Sequence, residues 1–218
     1  MERPLRFFHE VRGCSLAVDI VARELKIPLD LQWVNMTTKR LPDGSDYLAV
    51  NSKGTVPTLQ LPDGQFLSEG AVIMQYLADQ RPESVLLAPP GTIKRYRILE
   101  WMSFIAADLH KGGFMPLFKK ITPPEYKAIA RQYVMARMKW LNDQLAGKKF
   151  LCGDDFTIAD AHCYTMAMWT RAHDIGTGEW PHLEAYLDRV GSRPSVVAAE
   201  RAAAEQGERD RLMRESAG

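Results

Sequence analysis

The chain has 218 residues, a formal net charge of +1, and 46% hydrophobic and 25% charged residues. That composition is typical of a soluble globular protein, and the near-zero charge argues against a nucleic-acid-binding surface. No apolar run approaches the roughly 20 residues of a membrane span, so we expect no membrane partner. The three cysteines, Cys14, Cys152 and Cys163, form neither a CxxC motif nor an even disulfide framework. This cysteine usage predicts a cytoplasmic protein.

The first 80 residues alternate short strands with helical patterns, which predicts an α/β domain whose mixed sheet is covered by helices. A Pro-Asp-Gly triplet at 62–64 separates two apolar runs and predicts a hairpin turn. The predicted elements are a strand at 3–8, a helix at 14–25, a strand at 29–34, a short irregular helix within 36–50, the hairpin at 58–67 and a helix from Ser68 to about Gln80.

Residues 81–91 form a Pro-rich linker, which predicts a domain boundary. Beyond it no strand pattern recurs, so we predict an all-helical domain at 92–218. The runs Thr122–Glu125 and Thr157–Asp160 each match a capping box, and in this reading Asp160 caps its helix. The predicted helices are 92–113, 122–146, one from 157, 181–190 and 194–212.

The hairpin offers two features that suit a small peptide with a free carboxylate. Pro57 lies at the start of a strand, where a missing N–H is tolerated. If the Val56–Pro57 bond is cis, the backbone N–H and C=O of Val56 can pair with an extended peptide. Glu69 and Gly70 lie at the start of a helix, where unpaired N–H groups bind carboxylates.

Cys14 lies between a strand and a helix, where the helix dipole and unpaired N–H groups stabilise a thiolate. Arg12 adds positive charge nearby. The alternative is a buried structural cysteine, and that interpretation is the one we favour for Cys152 and Cys163.

His110 follows Ser103 by seven residues, so on a continuous α-helix the two share a face. Lys111 adjoins them. The alternative for His110 is an ordinary surface or core histidine. The five histidines lack metal-ligand spacing, so no metal site is predicted.

Together, these residues resemble a bacterial cytosolic glutathione transferase, most closely the beta class, from about Leu5 to Val197. The motifs that carry the resemblance occur in the family order. They are Gly13-Cys14-Ser15-Leu16-Ala17, Ala49-Val50-Asn51-Ser52-Lys53-Gly54-Thr55-Val56-Pro57, Glu69-Gly70-Ala71-Val72-Ile73-Met74-Gln75-Tyr76-Leu77, Leu109-His110-Lys111 with Pro116-Leu117-Phe118, and Phe156-Thr157-Ile158-Ala159-Asp160-Ala161.

The resemblance implies a thioredoxin-like glutathione-binding domain at 1–80, a linker at 81–91 and an all-α domain at 92–218 that contributes the electrophile pocket. It also implies a homodimer, a cis Val56–Pro57 bond and glutathione as co-substrate without a metal.

The resemblance further assigns site residues. Cys14 lies beside the glutathione sulfur, with the backbone of Ser15 supporting the thiolate. Val56 and Pro57 hold the cysteinyl part, and Glu69 and Gly70 the γ-glutamyl end. Met36, Lys39 and Thr55 match positions that line the peptide. His110 matches a catalytic residue, with Lys111 beside it. Ser103 and Asp108 match positions that reach across the dimer in the family.

Three departures from the family pattern stand out. The usual aromatic-x-Pro-Gly approach to the cysteine is replaced by His9-Glu10-Val11-Arg12-Gly13, which changes the loop and adds charge. Ser103 replaces an amide. Gly70 offers only its backbone N–H where many relatives offer a hydroxyl.

The resulting prediction is an enzyme that conjugates the glutathione thiolate to small soft electrophiles. The alternatives are thiol–disulfide exchange through Cys14, glutathione-dependent isomerisation or dehalogenation, and a non-catalytic glutathione-binding or regulatory module. The sequence carries no readable code for the electrophile.

Overall fold

The computed structural model describes residues 4–11 and 13–216, which form two compact units. One comprises the described residues up to Arg81 together with those from Arg193 onward, and the other comprises Pro82–Ser192. The C-terminal helix therefore packs with the first unit, whereas the sequence grouped everything from residue 92 as one helical domain. The division into a glutathione-binding and an electrophile-binding domain stays a prediction.

The first unit is built on a four-stranded sheet in the order β2-β1-β3-β4. β1 pairs parallel with β2 and antiparallel with β3, and β3 pairs antiparallel with β4. A parallel pair needs a crossover, and helix α1 (Leu16–Glu24) provides it. The mixed sheet is confirmed, although residue 3 of the predicted first strand lies outside the described residues. The strands are β1 Leu5–His9, β2 Leu29–Trp33, β3 Thr58–Gln60 and β4 Phe66–Ser68.

The hairpin between β3 and β4 closes where the Pro-Asp-Gly triplet predicted it. Gly64 has a φ of +88°, a conformation that glycine adopts without steric cost. Its N–H donates to the Leu61 carbonyl at 2.9 Å, and the Asp63 carboxylate accepts the Gln65 N–H at 3.0 Å. The turn thus fixes the register of the strand that begins just after Pro57.

The hydrophobic core of the first unit lies between the sheet and its helices. Phe7 and its register partner Leu59 are fully buried, together with apolar residues of α1 and of α2 (Gly70–Asp79). The C-terminal helix, which is α9 in chain order (Pro194–Ser216), packs on α1. Arg193 makes two hydrogen bonds to the Glu24 carboxylate at 2.8 and 2.9 Å.

The elements of the second unit are helices, but the helix predicted at 92–113 is not α-helical over its whole length. Its second half is a π-helix, Ile105–Phe114. A Cβ on Gly113 would lie 3.0 Å from the Asp108 carbonyl oxygen, so the glycine is needed for this winding. The α-helices are α3 Ile93–Phe104, α4 Met115–Phe118, α5 Pro124–Leu145, α6 Ile158–Ala167, α7 Trp169–Ala172 and α8 Pro181–Gly191.

One of the two predicted capping boxes is confirmed. Thr157 donates through its N–H and its hydroxyl to Asp160 Oδ2 at 2.8 and 3.0 Å. The box at Thr122 is wrong, because Pro123 is the N-cap residue of α5 and Thr122 lies outside the helix. The helix begins one residue later than the box predicts, at Pro124. Among the helices of the described residues, none is both long and apolar enough to span a bilayer.

Candidate functional site

Cys14 lies in the loop between β1 and α1 and is partly buried. Its Sγ donates to the Val56 carbonyl oxygen at 3.5 Å. Ser15 is fully buried, and its hydroxyl closes the loop by accepting the Glu10 N–H at 3.2 Å and donating to the Glu10 carbonyl at 3.4 Å. The Ser15 side chain is therefore bonded within the loop, whereas the Cys14 thiol is directed to the Val56 carbonyl.

His9 and Glu10, which precede Cys14, are held in partly or fully buried surroundings that shift their pKa values toward the neutral forms. Burial lowers the pKa of His9 to about 3, and the neutral ring packs on Trp33 with centroids 3.7 Å apart. Burial also raises the pKa of Glu10, with Lys39 acting in the opposite direction. Glu10 Oε2 lies 3.2 Å from the position of a Cβ on Gly13, so the small residue before Cys14 leaves room for this carboxyl. Arg12, whose charge was expected to assist Cys14, lies outside the described residues.

The corner at Val56–Pro57 is held by a buried hydrogen-bond network. The peptide bond is cis, as the family resemblance implies. Tyr47 Oη donates to the Thr55 carbonyl at 2.7 Å and lies 2.8 Å from the Thr58 hydroxyl. Asn51 Nδ2 donates to the same two oxygens at 2.8 and 3.1 Å. Two side chains thus fix the backbone on both sides of Val56.

Lys39 and Met36 lie around the same corner. Lys39 Nζ donates to the Gly54 carbonyl at 2.8 Å, which ties it to the loop that leads to Thr55. Met36 packs with Val56 against a buried apolar cluster. The residues of that cluster are Phe8, Val34, Leu41 and Tyr47. The first unit therefore brings Cys14, Lys39, Met36 and the Val56 backbone together, as expected from the sequence.

Glu69 and Gly70 begin α2 beside the proline corner. A Cβ on Gly70 would lie 3.4 Å from Pro57 Cγ, so the helix start is in contact with the corner. Glu69 has a φ of +73°, which is uncommon for a residue with a side chain. Its carboxylate forms an ion pair with Lys53 at 2.7 Å.

The second unit holds the other predicted site residues, and Asp108 is engaged within it. The Tyr133 hydroxyl donates a short hydrogen bond to Asp108 Oδ1. Arg137 Nη2 lies 3.6 Å from the same oxygen and donates to the Tyr133 hydroxyl at 3.0 Å. Ser103 donates to the Leu99 carbonyl at 2.9 Å. Both side chains therefore have partners inside their own unit.

His110 is buried on the π-helix, edge-on to Trp169 with ring centroids 5.3 Å apart. Lys111, the next residue, is exposed. The shared α-helical face expected for Ser103 and His110 is not formed, because the π winding changes the periodicity between them. Aromatic rings surround this segment. The ring centroid of Phe118 lies 4.9 Å from that of Trp169 and 4.3 Å from that of His173.

The other two cysteines match their predicted structural roles. Burial raises the pKa of Cys152 to about 11 and also raises the pKa of Cys163, which is fully buried. Both thiols are therefore protonated at neutral pH. Within the described ranges, no three or more His, Cys, Asp or Glu side chains are grouped to hold a metal ion.

Comparison with known families decides what this architecture is. Residues 13–80 match the glutathione S-transferase N-terminal domain, and residues 105–194 match the glutathione S-transferase C-terminal domain. The chain belongs to the glutathione S-transferase family. It therefore has a thioredoxin-like N-terminal domain with a helical C-terminal domain, and the family resemblance seen in the sequence is confirmed.

Individual relatives agree with this assignment. The chain is 43% identical to glutathione S-transferase GstA of Escherichia coli O157:H7 over 195 residues, 89% of this chain and 96% of that protein. It superposes on a glutathione transferase of Methylococcus capsulatus strain Bath with a TM-score of 0.89 and 42% identity, covering 92% and 98% of the two chains. A sphingomonad glutathione S-transferase solved in complex with glutathione has a TM-score of 0.88 and 36% identity, covering 91% and 98%.

Sequence reasoning missed several residues of this glutathione transferase that the structure places near the corner. Lys53 was part of a motif, but its ion pair with Glu69 spans 16 positions. Tyr47 carried no signal, because a tyrosine in a polar stretch does not reveal which carbonyl it will reach. Asn51 was part of the same motif as Lys53, but no role was assigned to it. A search for polar residues just before an X-Pro strand start would have selected Asn51.

Proposed function

We propose that this glutathione transferase conjugates the thiolate of glutathione to small soft electrophiles, with the tripeptide lying along the Val56 backbone. The observation that carries this proposal is the Cys14 Sγ at 3.5 Å from the Val56 carbonyl. A peptide that pairs with Val56 by strand addition brings its own cysteinyl sulfur beside Cys14.

The remaining residues of the first unit suit the rest of the tripeptide. Glu69 and the backbone N–H of Gly70 are assigned to the γ-glutamyl end, since the start of a helix favours a carboxylate. Met36, Lys39 and Thr55 are assigned to the peptide walls, with Pro57 beneath. Lys39 supplies a positive charge suited to the glycine carboxylate.

In the proposed reaction the glutathione thiol loses its proton, and the sulfur lone pair forms a bond to the electrophilic carbon. In a substitution, the leaving group departs with its bonding electrons. In an addition to an activated double bond, the adjacent carbon takes a proton. A thiol with a pKa near 8.5 is only a few per cent ionised at neutral pH, so the positive end of α1 accelerates the reaction by favouring the thiolate.

From the helical unit we assign His110 to proton transfer and Lys111, Ser103 and Asp108 to substrate binding, as the family resemblance implies. The electrophile is a small molecule held by that unit. The proposal further includes a homodimer and a cytoplasmic location, which the absence of a disulfide among Cys14, Cys152 and Cys163 favours.

The test is glutathione consumption by the purified protein with a panel of activated aryl halides and α,β-unsaturated carbonyls. We expect turnover by the wild type and by a control variant, Cys152→Ser, which changes a cysteine outside the proposed glutathione site. Absence of turnover on the whole panel, together with no binding to immobilised glutathione, would refute the proposal.

A second activity, thiol–disulfide exchange, is favoured by the thiol at position 14. The Cys14 thiolate would attack the glutathione sulfur of a mixed disulfide between glutathione and a substrate thiol, forming a Cys14–glutathione disulfide and releasing the substrate thiol. A second glutathione would then attack that disulfide, regenerating the Cys14 thiol and releasing glutathione disulfide. Mass spectrometry after treatment with glutathione disulfide should show an adduct of about 305 Da on Cys14, the mass of glutathione less two hydrogens. If Cys14→Ser lacks exchange but still conjugates, Cys14 serves only the redox reaction.

A further inference from the structure

Lys53 lies at the centre of an exposed charge pair next to the proposed glutathione site. Its Nζ is 2.7 Å from Glu69 Oε1 and 2.9 Å from Ser68 Oγ. The Lys53 and Glu69 side chains are 51% and 63% exposed. The pair connects the loop before Val56 to the start of α2, so a cation and an anion stand side by side and face solvent.

The energetics of this pair indicate a role other than stability. An exposed ion pair contributes little to stability, whereas a non-glycine residue in a sparsely populated backbone region is strained. Glu69 has a φ of +73°. Such a strained backbone conformation is typical of ligand-binding residues.

We propose that Lys53 binds the α-carboxylate of the γ-glutamyl residue and selects ligands that carry a free amino-acid head group. This inference rests on the proposed glutathione site. The α-amino acid end of glutathione is a zwitterion, and the Lys53–Glu69 pair presents the complementary charges at hydrogen-bonding separation. Glu69 receives the ammonium group and Lys53 the carboxylate.

Two further features support this assignment of Lys53. Gly70 has no side chain and offers only its backbone N–H at this end of the site, so a side-chain donor to the carboxylate has to come from another residue. A lysine ammonium has three N–H donors. Ser68 and Glu69 accept two of them, which leaves the third for a carboxylate oxygen. The other lysine near the corner, Lys39, donates to the Gly54 carbonyl and is assigned above to the glycine carboxylate at the other end of the tripeptide.

Calorimetric titration of the full chain with three ligands tests the proposal. They are glutathione, an analogue with 4-aminobutyryl in place of γ-glutamyl, which lacks the α-carboxylate, and an analogue with glutaryl, which lacks the ammonium. We expect the wild type to bind both analogues at least tenfold more weakly than glutathione. Lys53→Met should weaken glutathione binding about tenfold, which is about 1.4 kcal/mol, and should leave the 4-aminobutyryl analogue within twofold of its wild-type affinity.

Two control variants separate charge recognition from folding. Lys26→Met removes an exposed lysine after α1 and should leave all three affinities unchanged. Lys53→Arg keeps the cation and should retain most of the discrimination against the 4-aminobutyryl analogue. The inference is overturned if Lys53→Met binds glutathione with an affinity within twofold of wild type. It is also overturned if Lys53→Met weakens the binding of glutathione and of the 4-aminobutyryl analogue by the same factor. If wild-type protein binds no glutathione, the proposed function fails, and this inference fails with it.

Discussion

The network around Thr58 provides a quantitative test of how the glutathione corner is held. Burial raises the pKa of Tyr47, so its hydroxyl is protonated at neutral pH, and its single proton goes to the Thr55 carbonyl. The Thr58 hydroxyl, which is only 1% exposed, therefore donates to Tyr47 and accepts from Asn51. The Thr55 carbonyl oxygen and the Thr58 hydroxyl oxygen therefore each have two hydrogen-bond partners, Tyr47 and Asn51.

Tyr47→Phe or Asn51→Ala alone leaves each oxygen one partner. We expect each single change to lower the free energy of unfolding by about 1–3 kcal/mol, since each removes two hydrogen bonds of this network and a net hydrogen bond contributes about 0.5–1.5 kcal/mol. The double variant leaves the buried Thr58 hydroxyl without a partner in this network, which costs about 1–3 kcal/mol. Its loss should therefore exceed the sum of the single losses by about 1–2 kcal/mol.

Urea unfolding of the four proteins measures this coupling, and glutathione titration shows whether it reaches the ligand. In a Thr58→Val background, where the shared hydroxyl is gone, the coupling should decrease. Losses that add to within about 0.5 kcal/mol, the usual result for independent sites, would refute the shared-partner interpretation. The double variant should also bind glutathione more weakly than either single variant, because the network fixes the backbone on both sides of Val56.

Two further predictions concern buried carboxyl groups. Burial raises the pKa of Asp160 from 3.8 to about 6, so this group stabilises the fold below about pH 4, and the contribution is lost as the pH rises through about 6. In urea unfolding, the free energy of unfolding of wild type minus that of Asp160→Asn should fall by roughly 2–3 kcal/mol between about pH 4 and pH 7.5. A difference that stays constant over this pH range would contradict the prediction. Burial raises the pKa of Glu24, but hydrogen bonds from Arg193 and Ser195 and the charge of Arg193 outweigh that effect and lower it. Glu24→Gln should therefore cost roughly 1.5–3 kcal/mol at neutral pH, and the difference should shrink as the pH falls below about 4. A series of thermal melts in which the stability difference between wild type and Glu24→Gln grows as the pH falls would contradict this prediction.

Local patterns predicted most of the first unit. Alternating apolar runs and the triplet at 62–64 determine the hairpin, because strand spacing and turn chemistry depend on neighbouring residues. The position of Cys14 between a strand and a helix is equally local. The capping box at Thr157 was visible for the same reason, since its partners lie three residues apart.

Features that depend on distant contacts were beyond sequence reasoning. The pairing of Lys53 with Glu69 requires two loops to meet. The π-helix at Ile105–Phe114 was read as α-helix, because apolar spacing over ten residues does not separate the two windings. Thr122 matched a capping box, but proline takes the capping position at residue 123, and composition alone does not decide which residue ends the loop.

The return of α9 to α1 has a consequence for any attempt to separate the two units. Because the first unit contains both ends of the described chain, cutting after Arg81 does not release it intact. Such a fragment loses Arg193 and Ser195 as partners of Glu24 and uncovers the surface beneath Val196 and Ala199, both fully buried. A variant in which a linker replaces Pro82–Ser192 would remove the second unit and keep α9 in the first unit.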